Sequence, residues 1–172
     1  MRKINNTGLV LIKKYEGFSR YIYLCPASFP TIGYGHLCKE NDLYLTNLNL
    51  KIEQIKHILK KNNGYSKQFK EQTKITLFEA ENLLKKDLKI AELAVLRLIK
   101  TPLTDNQFSA LVSFTFNLGS SALQRSTLRR KLNRGEYKIA SMEFGKWVYA
   151  DEKRLRGLIK RRKEEMLLFN FK

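Results

Sequence analysis

The sequence is short of cysteine and proline, and these shortages exclude several classes of protein. Its 172 residues contain only two cysteines, Cys25 and Cys38, and three prolines. Two cysteines can form one bridge at most, whereas small secreted scaffolds depend on several, so we expect a reduced compartment. No repeat, low-complexity tract or Pro/Gly/Ser-rich linker interrupts the sequence, which predicts a single domain spanning residues 1–172.

Long apolar runs are also missing. The run from Gly8 to Ile12 ends at Lys13 and Lys14, which makes it too short for the core of a signal peptide or for a membrane anchor. Residues 106–124 carry no charge, but Asn, Gln, Ser and Gly interrupt them, which is typical of a buried helix rather than a membrane span. We therefore expect no signal peptide and no transmembrane segment.

Acidic residues are outnumbered by basic ones. The chain contains 16 Asp and Glu residues and 33 Lys and Arg residues, which gives a net charge of +17 at pH 7. Such a charge favours a polyanionic partner, such as a nucleic acid, an anionic membrane or an acidic cell wall, without identifying which. The hydrophobic content of 43% is that of a globular protein rather than a disordered one.

The most informative pattern lies between Tyr15 and His36. Gly17 follows the apolar run that ends near Glu16, so Glu16 is predicted to occupy the last turn of a helix. Two short strands joined by a proline-bounded turn are predicted next, with Cys25 after the first strand and Thr31 at the start of the second.

The second predicted strand has the sequence TIGYGH, residues 31–36. Gly33 and Gly35 alternate with larger residues in it. One face of this strand is therefore predicted to be bare backbone, which a ligand can approach closely.

The spacing of these residues resembles a known active-site signature. Glu16, eight intervening residues, Cys25, five intervening residues and then Thr31 in TIGYGH resemble the signature of the phage-type lysozymes, glycoside hydrolase family 24. That family has Asp or Cys at the central position, so this chain resembles its cysteine-containing members. The resemblance continues through segments such as DNQFSALVSFTFNLGSSAL and FGKWVYADEKRLRGLIKRRKEE in the same order. Residues 38–74 are the exception, because this chain is predicted to carry an insertion there.

The resemblance implies both a fold and an activity. The fold would be α+β and mostly helical, with a small N-terminal lobe that holds a β-hairpin, a larger helical lobe and an active-site cleft between them. The activity would be that of an endolysin, a muramidase that cleaves the β-1,4 bond between N-acetylmuramic acid and N-acetylglucosamine and so lyses bacteria. Peptidoglycan would be the partner of a monomer that needs no metal or cofactor and binds no nucleic acid, with peripheral contact to an anionic membrane left open. The protein would remain in the host cytoplasm until it is released to the cell wall.

The same resemblance assigns roles to individual residues. Glu16 would be the general acid, Cys25 the second catalytic group and Thr31 a hydroxyl that positions water. The positions that correspond to sugar contacts are Gly35, Leu37, Phe116 and Thr127.

Cys25 leaves the mechanism open. A free thiol has a pKa of about 8.5 and is mostly neutral at pH 7, unless a cation such as Arg20 lowers that value. A thiolate that acts as a base would invert the configuration of the sugar, whereas a thiolate that acts as a nucleophile would retain it. The sequence does not decide between them.

Other functions must be weighed against this one. Cys25 with His36 or His57 could form the nucleophile and base of a cysteine-dependent peptidoglycan amidase or peptidase, although no third orienting residue is marked. Zinc ligation by these three residues and Cys38 lacks a recognised spacing. A basic helical nucleic-acid-binding protein would use the terminal helix and would not need Glu16.

Helical patterns fill most of the remaining chain. Two of the predicted helices begin at capping boxes: a long one at Thr76 and Glu79, and a central one at Thr104 and Gln107 that ends at Gly119. A further helix is predicted from Leu48 to Leu59, with its end signal at residues 62–64. The other predicted helices span Asn5 to Glu16, Thr127 to Asn133, Glu136 to Trp147, and Lys153 to Phe169. In the last helix we predict Leu155, Ile159 and Met166 on one side. Arg161, Arg162 and Lys163 are predicted as exposed basic residues on the other side.

Overall fold

The computed structural model describes residues 1–40, 42, 50–61 and 66–171. Within them the helices are α1 (Asn6–Glu16), α2 (Ile52–Lys61), α3 (Lys67–Thr73), α4 (Leu77–Leu98), α5 (Asp105–Leu118), α6 (Ser120–Arg125), α7 (Thr127–Leu132), α8 (Tyr137–Met142), a 3-10 turn (Glu143–Lys146) and α9 (Arg156–Asn170). The strands are β1 (Ser19–Leu24), β2 (Pro30–Gly33), β3 (His36–Leu37), β4 (Tyr149–Ala150) and β5 (Lys153–Arg154). The fold is therefore α+β and mostly helical, as expected.

The chain forms two compact units. One comprises Glu16–Asp87, and the other combines Met1–Tyr15 with Leu88–Lys172. We call the first the sheet unit and the second the helical unit. In the sequence, this division falls within the residue ranges of α1 and α4.

The sheet unit is built on an antiparallel sheet with the strand order β1-β2-β3. The hairpin of β1 and β2 confirms two strands after Glu16, but the predicted second strand of residues 31–36 is divided: β2 ends at Gly33, Tyr34 and Gly35 form a turn, and His36 begins β3. A register shift interrupts the pairing of β1 and β2 between Ser19 and Tyr23. Ile22 and Ile32 are fully buried and form the centre of this unit's core.

The two glycines of TIGYGH serve different purposes. Gly33 has a φ of +66°, and a Cβ placed on it would stand 3.1 Å from the Cβ of Ala80 and 3.3 Å from Ile75. The absence of a side chain at Gly33 therefore lets α4 pack closely on β2. The prediction that this glycine leaves backbone bare for a ligand is wrong. Gly35, in contrast, is exposed.

Two helices lie in the predicted insertion. In α2, Ile55 and Leu59 are buried, which confirms an amphipathic helix. Its predicted start at Leu48 and its predicted end at residues 62–64 lie outside the described residues, but residues 50 and 51 are described and are not helical, so the helix begins later than predicted, at Ile52. The short α3 was not predicted. The Ser66 hydroxyl caps it by accepting a hydrogen bond from the backbone N–H of Phe69 at 3.2 Å.

The helical unit is centred on α5. The predicted capping box is present, because the Thr104 hydroxyl accepts from the Gln107 N–H at 3.2 Å and the Gln107 side chain accepts from the Thr104 N–H at 2.9 Å. Phe114 in this helix makes edge-to-face contacts with Phe144 and Trp147, with ring centroids 5.5 and 5.4 Å apart. The uncharged segment is therefore a buried core helix, as predicted.

The terminal helix differs from its prediction. It begins at Arg156, because β4 and β5 form a hairpin before it. Arg161 and Arg162 are 4% and 1% exposed, and both donate hydrogen bonds to the buried Glu165 one turn later. Only Lys163 of the three predicted surface cations is exposed. The buried Glu165 carboxylate thus pairs with both guanidinium groups and keeps them in the interior. The order of charges along the sequence does not reveal this pairing.

None of the described helices has the length and apolar character needed to cross a membrane.

Candidate active site

Glu16 ends α1, as predicted. Gly17 follows with a φ of +69°, the left-handed conformation that stops a helix and that glycine adopts without strain. The Glu16 side chain is half-buried. Nearby in the same unit, the rings of Phe18 and Tyr34 pack with centroids 5.6 Å apart.

One row of side chains crosses all three strands of the sheet. Tyr23 pairs with Thr31, and Thr31 pairs with Leu37. Directly opposed residues in antiparallel strands point to the same face, so these three side chains share one face of the sheet. Thr31 is only 2% exposed whereas Leu37 is 51% exposed, so the row runs from a buried centre to an open edge.

Cys25 lies in the tight turn between β1 and β2. Its N–H donates to the Phe29 carbonyl at 3.0 Å, and its own carbonyl accepts from the Ser28 N–H at 2.8 Å. Hydrogen bonding from the Phe29 backbone, and more weakly from the Thr31 hydroxyl and the Ala27 backbone, lowers the pKa of the Cys25 thiol against an opposing effect of burial. The thiolate is therefore stabilised by hydrogen-bond donors of the turn. The sequence had suggested the charge of Arg20 for this role.

The Thr31 hydroxyl is placed to respond to the state of Cys25. It donates to the Phe29 carbonyl at 3.0 Å and also interacts with the Cys25 side chain. A hydroxyl has a single proton but can also accept, so it can receive the S–H of a thiol or turn to donate to a thiolate. Thr31 thus couples the charge of Cys25 to the hydrogen bonding of the turn.

Gly35 borders the carboxylate of Glu16. A Cβ placed on Gly35 would stand 3.8 Å from Glu16 Oε2, and among the described residues no other atom outside its chain neighbours lies within 4 Å of that point. The φ of Gly35 is +83°, which side-chain-bearing residues rarely adopt. The space beside the acid is therefore kept open by a residue whose backbone also requires glycine.

Tyr23 lies directly opposite the predicted site residue Thr31, and the sequence reasoning did not single it out. Burial first, and then the negative charges of Cys25, Glu16 and Cys38, raise the pKa of its phenol. The charges of the proposed acid and of the proposed second group therefore both act on one hydroxyl. Its place directly opposite Thr31 in the hairpin is the signal that could have identified it.

His36 is not available as a base for Cys25. It pairs with Ile32, whose side chain lies on the opposite face of the sheet from Thr31. Its Nδ1 lies 2.7 Å from Asp87 Oδ2 and its Nε2 lies 3.1 Å from Asp42 Oδ2. Burial lowers the pKa of His36, but the hydrogen bonds and charges of Asp87 and Asp42 outweigh burial and raise it. This arrangement removes His36 from the amidase hypothesis.

The two cysteines are not joined by a disulfide. Cys25 follows β1, while the N–H of Cys38 donates to the Pro30 carbonyl on the far side of β2 at 2.9 Å. Because β2 lies between them, two strand spacings of about 4.8 Å separate the cysteines, more than the roughly 7 Å that a disulfide spans between Cα atoms. In the described parts of the chain, His, Cys, Asp and Glu form no group of three that could hold a metal ion.

The remaining predicted sugar contacts belong to the helical unit. Phe116 is half-buried near the end of α5. Thr127 is the first residue of α7, and its hydroxyl accepts from Arg130 Nη2 at 2.8 Å. Their contact with a sugar stays a prediction.

Comparisons with known proteins agree with one another. The profile of the family described as "Phage lysozyme" matches residues 13–165. The chain is 39% identical over 170 residues to an endolysin of Acyrthosiphon pisum secondary endosymbiont phage 1, with 96% of this chain and 97% of that protein covered. It is 32% identical over 169 residues to the endolysin of Salmonella phage P22, with 98% and 99% covered.

Two solved structures are similar over nearly their whole length. A mutant of P22 lysozyme superposes with a TM-score of 0.77 at 31% identity, with 98% of this chain and 99% of that chain covered. The muramidase domain of SpmX from Asticaccaulis excentricus superposes with a TM-score of 0.75 at 31% identity, with all of both chains covered.

Proposed function

The chain belongs to the phage lysozyme family, and from this membership we propose that Glu16, Cys25 and Thr31 form the catalytic centre of a muramidase that hydrolyses bacterial peptidoglycan. The observation that supports the assignment is that one unit holds all three residues, with Glu16 Oε2 next to Gly35 after β2 and with Cys25 and Thr31 in the turn and strand of the same hairpin. The chain is a lysozyme-type glycoside hydrolase whose relatives are endolysins and a muramidase domain. We propose that its target is the bond between N-acetylmuramic acid and N-acetylglucosamine.

Glu16 is proposed as the general acid. Cleavage of a glycosidic bond proceeds through an oxocarbenium-like state, and protonation of the leaving oxygen lowers the barrier to reaching it. The half-buried carboxyl at the end of α1 borders the open space beside Gly35, where the leaving oxygen could lie. A glycosidic oxygen there would receive the proton from the Glu16 carboxyl as the bond to the anomeric carbon breaks.

Cys25 is proposed as the second catalytic group. Hydrogen bonds in its turn lower the pKa of its thiol, which raises the thiolate fraction near neutral pH. A thiolate can remove a proton from water or attack the anomeric carbon itself. Thr31 is proposed to hold the water, because its hydroxyl borders Cys25 and can donate or accept.

Sugar binding is proposed at the open edge of the sheet. Leu37 is 51% exposed at the end of the Tyr23–Thr31–Leu37 row and offers an apolar surface to a pyranose ring. Gly35 lets the sugar approach the acid. In the helical unit, Phe116 and Thr127 are each proposed to contact sugar.

The cellular setting is also a proposal. We propose a monomer that is held in the host cytoplasm and reaches the wall through a separate release step. A cysteine-dependent amidase, with His36 or His57 as the base, is not favoured, because the chain belongs to the phage lysozyme family and because His36 is hydrogen-bonded to Asp87 and Asp42.

Mass spectrometry of digested peptidoglycan tests the function directly. Purified sacculi would be incubated with wild type, Glu16→Gln and Cys38→Ala proteins. The wild type and Cys38→Ala should release muropeptides with a reducing N-acetylmuramic acid end, whereas Glu16→Gln should lose several orders of magnitude in rate while remaining folded. Release of free stem peptides would indicate an amidase instead. The anomeric configuration of the first product, followed by NMR, distinguishes a base from a nucleophile at Cys25.

A further inference from the structure

The C-terminal half of α4 presents apolar side chains to solvent. Ile90 is 74% exposed, Leu93 is 53% exposed and Leu96 is 40% exposed. The same stretch buries Leu88, Ala91, Val95 and Leu98 against the core of the helical unit. The helix is thus apolar on two sides, and only one of them is used for folding.

Basic residues are interleaved with these apolar ones. At 100° per residue, Lys89, Ile90, Leu93, Leu96 and Arg97 fall within one exposed sector of about 120°, and Lys100 continues it just past the helix end. We call these six residues the α4 outer face, which extends for about 16 Å. The one acid in this stretch, Glu92, is 3% exposed and accepts a hydrogen bond from the Ile4 N–H at 2.9 Å on the core side.

The α4 outer face is held in a defined position. Asn133 closes the C-terminal end of α4, because its Nδ2 donates to the Leu98 carbonyl at 2.9 Å and its Oδ1 accepts from the Lys100 N–H at 2.9 Å. Part of the face forms one wall of a shallow depression of about 460 Å3, which is lined by Ile90, Leu93 and Arg97 of the face together with Ala94 and Ser120. The α4 outer face is therefore a preformed surface that combines a depression with positive charge.

We propose that the α4 outer face docks the protein on an anionic lipid bilayer. A helix that lies in a membrane interface places apolar side chains below the headgroups and basic side chains among the phosphates, which is the distribution found here. The net charge of +17 would draw the whole protein toward such a surface. The glycan and stem peptides of a wall would satisfy the cations but would give Ile90 and Leu93 little apolar contact.

Charge argues against a second copy of the chain as the occupant. A symmetric contact through this face would bring Lys89, Arg97 and Lys100 against the same cations of the other copy. Like charges removed from water repel strongly, so self-association here would be opposed. An anionic bilayer relieves the same repulsion.

Vesicle co-sedimentation tests the proposal. Full-length protein would be mixed with vesicles of phosphatidylcholine alone and of phosphatidylcholine with 30% phosphatidylglycerol, at low and at physiological salt. One variant combines Ile90→Ser, Leu93→Ser and Leu96→Ser; another combines Lys89→Gln, Arg97→Gln and Lys100→Gln. We expect the wild type to bind only the anionic vesicles, and each variant to lose about tenfold or more in partitioning.

Matched control variants distinguish binding through the α4 outer face from nonspecific binding through exposed apolar or basic residues elsewhere on the protein. The apolar control replaces the exposed Ile139, Met142 and Leu155 with Ser, and the charge control replaces the exposed Lys60, Lys61 and Lys67 with Gln. Both should stay within about threefold of the wild type. Circular dichroism and cleavage of a soluble oligosaccharide verify that every variant remains folded and active.

A second readout locates the contact. The emission of Leu93→Trp, after subtraction of the Trp147 background measured in the wild type, should shift to the blue on anionic vesicles and be quenched by brominated lipid. The absence of quenching would overturn the proposal. Two other results would also overturn the proposal. One is a loss of vesicle binding in the charge variant alone, which would mean a purely electrostatic surface. The other is an equal loss of vesicle binding in the control variants.

Discussion

Glu16 Oε2 lies 3.8 Å from the position that a Cβ on Gly35 would occupy. Gly35→Ala should therefore fill the space beside the acid and lower glycan hydrolysis by at least about tenfold. It should also destabilise the protein by roughly 1–2 kcal/mol, because the φ of +83° disfavours a side chain. Turnover of a soluble oligosaccharide and urea unfolding measure the two effects.

Gly135→Ala is the matched control for this substitution. Gly135 has a φ of +78°, and a Cβ there would meet no atom within 4 Å in the described part of the chain, apart from its chain neighbours. It should lose similar stability and keep wild-type turnover. If both alanine variants turn over equally well, the close approach at Gly35 plays no part in the reaction.

Cys25 should react as an acidified thiol. Because hydrogen bonds in its turn lower its pKa, alkylation by iodoacetamide in a Cys38→Ala background should reach half its maximal rate at a lower pH than alkylation of an unperturbed thiol such as free cysteine. Alkylation should abolish hydrolysis. The reciprocal Cys25→Ala protein should be alkylated more slowly, since Cys38 is only 9% exposed.

Substitution of Cys25 should report its role through the pH profile of hydrolysis. If the thiolate is the active form, the rate rises with pH as Cys25 ionises. Cys25→Asp should move that rise toward the ordinary Asp range near pH 4, whereas Cys25→Ala should lose at least about a hundredfold in rate. A profile that Cys25→Asp leaves unmoved would assign the rise to another group.

His36 should stabilise the sheet unit most at acidic pH. Its folded pKa is raised by Asp87 and Asp42 above the reference value of 6.5, so its contribution is complete below about pH 6.5 and is lost as pH rises through the folded pKa. His36→Gln should therefore cost about 1–3 kcal/mol at pH 5 and less at pH 9. Urea unfolding at both values measures this.

The exposed His57 offers the control for that experiment. His57→Gln should change the free energy of unfolding by less than about 0.5 kcal/mol. A cost of His36→Gln that grows from pH 5 to pH 9 would contradict the charged bridge between the two carboxylates.

The buried cluster on α9 should matter for folding rather than for surface binding. Glu165 Oε1 accepts from Ser113 at 2.7 Å, Arg162 at 2.9 Å and Arg161 at 3.2 Å. Glu165→Gln should cost about 3–5 kcal/mol, because it leaves two buried guanidinium groups without a counter-charge. The control Lys163→Gln on the same helix should change the free energy of unfolding by less than about 0.5 kcal/mol. If urea unfolding shows an equally small change for Glu165→Gln, the buried network does not contribute to stability.

The sequence by itself determined the local features of the site and of several helix ends. Gly17 placed Glu16 on the last turn of α1, and Thr104 with Gln107 marked the start of α5, because such signals act between residues three or four apart. The spacing of Glu16, Cys25 and Thr31 was enough to suggest a family, which the comparisons then showed.

Only the tertiary structure decided which side chains meet over long distances. His36 is 51 residues from Asp87, and Arg162 is 45 residues from Asn117, so no local rule predicts either contact. Gly33 and Gly35 look alike in sequence, yet Ala80 packs against one and Glu16 borders the other. In α4 the sequence shows apolar residues on two sides, and the packing of the helical unit buries Val95 while it leaves Ile90 in solvent. The physical reason is that propensities and caps act within about one turn, whereas burial depends on which distant segments fold against a residue.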